Sequence, residues 1–456
     1  MKRIPYLASV LLLLCSCTKY LDIKPFGQTI PKTAEEFSAL LQAHLENIDH
    51  GEQYIIGNIS TVCDLEAYAD NLEANLTTYP GGNYIPIYVG THLSKKQLLY
   101  SNLYSAIRDC NIIIGYLEER TGSESRNVLG TAFAIRGICY YNLLRNFCEP
   151  CYGNLQGDGV PIVTEFDMEA KPLRSTIAQT AAQADADLRT AIGYNISDKA
   201  YRFNSDIMKA YLARLHFWLG DWAKAKSYAS EVLDAHPLVD ADTFKSMMEN
   251  EVAATGNIIF KSCIILNSSD RLGYNGSKSS LSSRPVSKTF VNLFAEKEQD
   301  VRYGLSFNRK RSFTKNVFAC IRSAEMQLIV AECLYHEGEH EAALEALNEL
   351  RIRRNIPALT MESLPAVSSS DLIVCDATGA ALTPLCYAIL AERRKELFME
   401  GDRWYELKRN GRPVFWSAKQ GRKYTTEKFM YTFPLPISDV ELIEGLKQNQ
   451  GYEKTK

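Results

Sequence analysis

Apolar residues recur every three to four positions over most of this chain, a spacing that commits it to a mainly helical fold. In residues 100–118 the stripe is Leu103, Ile107, Cys110, Ile114 and Leu117, and in 128–147 it is Phe133, Gly137, Tyr140, Leu144 and Phe147. A third run, Met208, Tyr211, Leu212, Leu215, Trp218 and Leu219, stops at Gly220. Asp221 then offers an N-cap to a second helix carrying Ala225, Ala229, Val232 and Leu233. The layout returns as Met326, Ile329, Val330, Cys333 and Leu334, then Gly338, then Ala343, Ala346, Leu347 and Leu350. A glycine turn with alanines where two helices approach is the pattern of a tetratricopeptide-type hairpin. Gly220 and Gly338 are separated by far more than the about 34 residues of one such repeat. The expected fold is therefore an array of interrupted helical hairpins with long insertions.

The insertions have a different texture. Residues 71–94 are rich in Asn, Thr, Gly and Tyr, residues 267–285 are rich in Ser, Gly and Asn, and 357–384 and 411–431 lack any period. All four read as irregular loops. Long loops on a rigid frame are where binding groups usually reside. The balance of 51 basic against 54 acidic residues gives a net charge of -3, so no basic field points to nucleic acid.

The first residues speak for export. Lys2 and Arg3 precede a short apolar run, Leu7 to Leu14. The run is too short to cross about 30 Å of hydrocarbon, so residues 1–16 read as a cleaved signal peptide. The sequence Leu14-Cys15-Ser16-Cys17 resembles a bacterial lipobox, with Cys17 as the new N-terminus and acyl carrier. Multiple acyl chains anchor stably where one does not. The alternative is a plain secretory signal with Cys17 free. The ten cysteines beyond Cys17 are scattered, and a chain of this length buries its own core without a disulfide framework. Several fall at apolar helix positions, as buried small hydrophobes do.

Separate segments carry a resemblance to the SusD/RagB family of outer-membrane lipoproteins from Bacteroidetes. Cys17-Thr-Lys-Tyr-Leu-Asp-Ile-Lys-Pro25 is similar to that family's mature N-terminus. Residues 131–147 with Gly159-Val-Pro-Ile-Val163 resemble its helix and "G-V-P" stretch, and Gly256-Asn-Ile-Ile-Phe260 its strand-like segment. Asp300-Val-Arg302 resembles its D-x-R element, and Ala324-Glu325 through Arg354 its "AE…LN..R.R" hairpin. The most specific piece is Glu392-Arg-Arg-Lys-Glu-Leu-Phe-Met-Glu-Gly-Asp-Arg-Trp-Tyr-Glu-Leu407. Pro434-Leu-Pro-Ile-Ser438 and Gln448-Asn-Gln-Gly-Tyr452 complete the order.

The resemblance implies a mainly α, SusD-like fold of tetratricopeptide-like hairpins with irregular segments on one side. After the signal peptide it implies a single domain over 17–456, with an N-terminal part 17–220 and a C-terminal part 221–456. It also implies a non-catalytic lid for a SusC-like TonB-dependent transporter, lipid-anchored in the outer membrane and facing the exterior. Such a lid captures oligosaccharides, or peptides in the RagB branch; a tetratricopeptide scaffold that binds only protein is the remaining alternative. No cofactor, metal or catalytic residue is implied.

The charges of the best-matched segment read as structural. In a helix over 386–400, Leu390, Leu397 and Phe398 face the core, while Glu392, Arg393, Arg394 and Glu396 pair at helical spacing. If exposed, such pairs contribute about 0.2–0.5 kcal/mol each. A sugar needs something else: flat rings for its C–H face and polar groups for its hydroxyl rim. Tyr, with an apolar body and a wet tip, suits this, and the chain has 25 Tyr against 4 Trp. The candidates are Tyr79, Asn83, Tyr84 and Tyr88 in the first insertion and Asp270, Tyr274 and Asn275 in the second.

Two motifs are decoys. His336-Glu-Gly-Glu-His340 has the H-E-x-x-H form of zinc proteases, but Gly338 breaks the one helix face which that chemistry requires. Cys148-Glu-Pro-Cys151 is a C-x-x-C with no second copy, and it ends a helix where a redox motif would start one. A local disulfide and two free thiols both remain open.

Overall fold

A computed structural model describes residues 31, 33–73, 97–117, 122–251, 258–419 and 422–452. The N-terminal helices are α1 (Ala34–His50), α2 (Ile59–Tyr68), α3 (Gln97–Leu117), α4 (Ser123–Phe147) and α5 (Ile177–Tyr194). Between α4 and α5 lie strands β1 (Asp158–Pro161) and β2 (Arg174–Thr176). Then come α6 (Ser205–Leu219), α7 (Trp222–Ala235), α8 (Ala241–Glu249), β3 (Ile258–Ser262), α9 (Ser268–Ser279), α10 (Lys288–Val291) and α11 (Val301–Ser306). Strand β4 (Ala319–Arg322) leads into α12 (Ser323–His336), α13 (His340–Ile352), α14 (Pro384–Glu396) and α15 (Asp402–Arg409). Strands β5 (Trp416–Lys419) and β6 (Arg422–Thr425) and helix α16 (Ile437–Leu442) close the chain. Among the described residues the strands form three two-stranded antiparallel sheets, β1–β2, β3–β4 and β5–β6.

Helix α4 is the axis. It is buried on nearly every side, because α3 and α5 flank it and α1 lies against it. Gly137 belongs in its apolar stripe for a steric reason. A Cβ there would sit 2.9 Å from Leu188 Cγ and 3.1 Å from the Ala184 carbonyl oxygen, so α4 and α5 approach too closely for any side chain.

Both expected hairpins form. Gly220 (φ +77°) closes α6, its N–H donating to the carbonyls of His216 and Phe217, and Asp221 caps α7. Gly338 (φ +84°) separates α12 from α13. The long interval between the hairpins vanishes in space, because α12 packs on α7 as well as on α13. Trp222 stacks on His336 at 4.2 Å between ring centroids, and Lys226 pairs with Glu337 across the same contact. One hydrophobic core runs from Ala34 to Tyr452, and a second, with Phe290, Phe294, Phe307 and Phe398, fills the space under the excursion between α7 and α12.

The loop expectation fails in two places. Residues 268–279 are helical: Asn267 Oδ1 accepts the Asp270 N–H at 3.0 Å, and an Asp270 oxygen accepts the Asn267 N–H at 3.2 Å, a complete capping box. That cap and the burial of Tyr274 outweigh the poor helix propensity of the Ser- and Gly-rich run. Within 411–431, β5 and β6 pair as a hairpin. Residues 357–384 are largely irregular, as expected. The helix expected over 386–400 ends at Glu396, yet Leu397 and Phe398 beyond it are buried as expected.

The charges of α14 are neither exposed nor paired mainly with one another. Glu396 accepts from Arg322 at 2.8 Å, from Arg354 at 2.9 and 3.0 Å and from Arg302 at 3.3 Å, and all four side chains are buried. Arg302 is bidentate to Asp300 and reaches Glu392 at 2.7 Å, while Arg351 bridges Glu392 and Glu296. Glu400 takes Arg322 and Lys315. The D-x-R element, the end of α13 and the 392–407 segment thus converge on one buried network. Burial opposes ionisation of Glu396, but Arg354, Arg322 and Arg302 hold it well below the usual carboxylate range.

Glu66 behaves in the opposite sense. Its oxygens accept from the Gly401 N–H at 3.0 Å and Asn71 Nδ2 at 3.2 Å, and burial pushes its carboxyl up to about 7. The proton is held more tightly in the folded state than in the unfolded state. Stability from this group is therefore full below the ordinary value of 4.5 and is lost as pH rises towards 7. At 1.36 kcal/mol per pKa unit this amounts to roughly 3 kcal/mol. In urea unfolding between pH 4.5 and 8, wild type is expected to lose stability that Glu66→Gln, compared at the same pH values, does not lose. Equal slopes for the two proteins would sink the assignment.

Candidate functional site

A surface groove lies where the chain leaves β1 and passes the ends of α3 and α4. The segment after β1 is pinned by buried polar groups. Tyr104 Oη donates to the Pro161 carbonyl at 2.6 Å, Asn111 Nδ2 donates to those of Val163 and Glu165 at 3.0 and 3.3 Å, and Tyr140 Oη accepts the Val163 N–H at 2.7 Å. Arg136 is spent internally, on Asp187 at 2.7 and 2.9 Å and on Asn111 at 2.8 Å. Pinning one side of the segment leaves Thr164, Glu165 and Phe166 facing outward.

Opposite them stands Tyr116. On α3 Ile114 and Leu117 are buried, whereas Gly115 and Tyr116 between them face outward; Tyr116 is 57% exposed and Phe166 is 51% exposed. The two rings, with Ile112, Phe133, Thr164 and Glu165, wall a groove of about 670 Å³. Tyr116 is steadied from behind by Phe37 of α1, at 5.5 Å between centroids. Exposed rings over a rigid base, with a hydroxyl and a carboxylate at the rim, form a platform for a ligand with an apolar face and a polar edge.

The residues picked from sequence fare differently. Tyr79, Asn83, Tyr84 and Tyr88 lie outside the described residues. Tyr274 is no surface ring: it is 3% exposed, and its hydroxyl accepts the Val317 N–H at 3.0 Å. Asp270 is also buried, held by its cap and by His50 Nδ1 at 3.0 Å. Only Asn275, on the outer face of α9, is exposed. Trp416, at the start of β5, is 48% exposed.

Sequence reasoning missed Tyr116 and Phe166. The available signal was their position: Tyr116 falls off the apolar stripe of its helix, and Phe166 sits between Glu165 and Asp167 after the "G-V-P" stretch. The decoys resolve as their sequence context indicates. His336 ends α12 and stacks on Trp222, while His340 begins α13 and stacks on Tyr335. No cluster of His, Cys, Asp or Glu able to hold a metal occurs among the described residues. Cys148 and Cys151 are unlinked and buried, and burial raises both thiols.

Comparison with known proteins agrees with this architecture. Residues 307–452 match the family described as SusD family, and residues 19–217 match the family described as starch-binding associating with outer membrane. The chain belongs to the SusD family. Members of that family are non-catalytic binding proteins associated with the outer membrane. Among curated relatives, SusD-like protein P38 of Formosa agariphila is 33% identical over 93 residues, a match covering 20% of this chain and 17% of that protein. Among solved structures, a SusD superfamily protein of Bacteroides thetaiotaomicron superposes with a TM-score of 0.69 at 22% identity, covering 91% of this chain and 99% of the other. A SusD-like carbohydrate binding protein of Bacteroides vulgatus gives 0.67 at 17% identity, covering 91% and 98%. A laminarin binding SusD-like protein gives 0.60 at 17% identity, covering 93% and 100%. At these identities the superpositions establish the SusD fold.

Proposed function

We propose that this SusD-family protein captures oligosaccharides at the cell surface, tethered through an acylated Cys17 as one domain over 17–456, and delivers them to a SusC-like TonB-dependent transporter. The observation that carries the reading is the groove between Tyr116 and Phe166. It offers two exposed rings for sugar C–H faces and Thr164 and Glu165 for hydroxyls. The starch-binding description of the family matched by residues 19–217, and the carbohydrate binding SusD-like proteins that share the fold, support the same ligand class. The Tyr79, Asn83, Tyr84 and Tyr88 segment is a second proposed contributor, on its residue types alone.

The test is a glycan and peptide binding screen on the soluble form lacking residues 1–17. Saturable binding to a defined oligosaccharide is expected. Each ring contributes about 0.5–1.5 kcal/mol beyond its buried area, so the double substitution Tyr116→Ala with Phe166→Ala is expected to weaken the dissociation constant about tenfold or more. Undiminished glycan affinity in the double variant would move the site elsewhere. Retention of peptides alone would overturn the ligand class.

A further inference from the structure

In the last turn of α4 stands a half-buried arginine, its Nε fully buried, with no acid of its own. Arg145 lies against two rings, its Cζ 3.7 Å from the Tyr405 centroid and 5.0 Å from that of Tyr141. One Nη reaches Asn142 Oδ1 at 3.4 Å, and Nε is buried without a partner. Among the described residues no carboxylate forms an ion pair with it. Ring faces compensate a buried cation only in part, and a buried charge ordinarily finds a counter-charge.

Arg145 lines two adjoining spaces. An outer recess of about 70 Å³ begins at the half-buried Tyr54, Ile56, Gly57 and Thr61, and an inner chamber of about 30 Å³ is walled by Arg145, Arg393, Arg409 and Phe217. They share Arg145, Arg214, Glu325, Asp402 and Tyr405. A water-sized occupant needs about 10–15 Å³, so either space admits one.

The carboxylates around these spaces are already engaged. Glu325 is bidentate to Arg214, Asp402 is bidentate to Arg393, and Glu400 takes Arg322 and Lys315. Glu406 gives one oxygen to Arg403, and burial pushes its carboxyl up to about 7. What is left over is mostly donors. Arg145 Nε, Arg393 Nη1 and Arg409 Nη1 are buried and make no hydrogen bond, against a single such acceptor on the chamber wall, Glu406 Oε1. Arg393 is neutralised by Asp402 and Arg409 by Glu332 at 2.6 Å, which leaves Arg145 as the cation without a counter-charge. A water molecule could accept from these groups but would bring no charge.

We propose that the inner chamber is a binding site for a small monovalent anion, a halide such as chloride, seated against the Arg145 guanidinium. The assignment is independent of the proposed ligand groove, which shares no residue with it.

Two measurements on the mature protein test it. Crystals soaked in sodium bromide are expected to show an anomalous peak within hydrogen-bonding distance of Arg145 Nε; its absence at saturating bromide would overturn the site. In thermal melts, chloride in place of gluconate at equal ionic strength is expected to raise the midpoint by roughly 3 °C. That increment should vanish in Arg145→Met, whichever way the variant's own midpoint moves. A wild-type midpoint that does not distinguish chloride from gluconate would also overturn it. Should Arg145→Met fail to fold, the bromide peak in the wild-type crystal decides alone.

Discussion

Replacing Glu396 by glutamine is expected to cost about 3–5 kcal/mol of stability, the usual consequence of removing one partner from a buried ion network. A domain's whole margin is about 5–15 kcal/mol, so the variant is expected to lose much of it. The reason is the asymmetry of the site. Glu396 is the acceptor shared by Arg302, Arg322 and Arg354, all buried, and Gln offers one neutral oxygen to three guanidiniums that have no water to turn to. Urea unfolding measures the effect. Glu341→Gln, at an exposed position on α13, serves as the control and is expected to change stability by less than about 0.5 kcal/mol. A Glu396→Gln midpoint equal to the control's would show that the network contributes shape and no net electrostatic stabilisation.

The second large effect concerns location. Acylation of the proposed anchor requires a thiol, so Cys17→Ser is expected to release the protein from the membrane fraction and abolish palmitate labelling. The difference is steep because each buried methylene contributes about 0.8 kcal/mol, and several chains act together where a single chain holds only marginally. Cys15→Ser, two positions earlier and within the expected signal peptide, should leave both readouts unchanged. Labelling that survives Cys17→Ser and disappears in Cys15→Ser would transfer the anchor to Cys15.

The helical frame was legible because its signals are local. The stripes of α3, α4 and α6 and the turns at Gly220 and Gly338 each follow from residues within two turns of one another. The charged segments were legible as motifs with a structural role, but the partners that bury them were not legible. Glu392, Arg393, Arg394 and Glu396 look like a solvated helix face when only their own helix is considered, since nothing in residues 386–400 announces that Arg302, Arg322, Arg351 and Arg354 will close over them. The second insertion misled for the converse reason: its composition is that of a loop, while two residues, Asn267 and Asp270, cap it into a helix and draw Tyr274 inward. Of the candidate binding residues only Asn275 is found exposed, and the groove rings Tyr116 and Phe166 are defined by a juxtaposition of α3 with the chain beyond β1 that no local pattern encodes.

The stacking of α7 on α12 has a consequence for how such a chain can diversify. The long stretch between these helices leaves from the end of α7 and returns at the start of α12, two helices packed on each other and joined at their far ends by Trp222 on His336 and by Lys226 with Glu337. Within it β3 pairs with β4, its core is shared with Ile59, Val62 and Phe398 of the frame, and Arg302 and Arg322 tie it to Glu396. A stretch of different length or chemistry can therefore be accommodated where it keeps these tie points, so new surfaces can be grafted between them onto the same chassis.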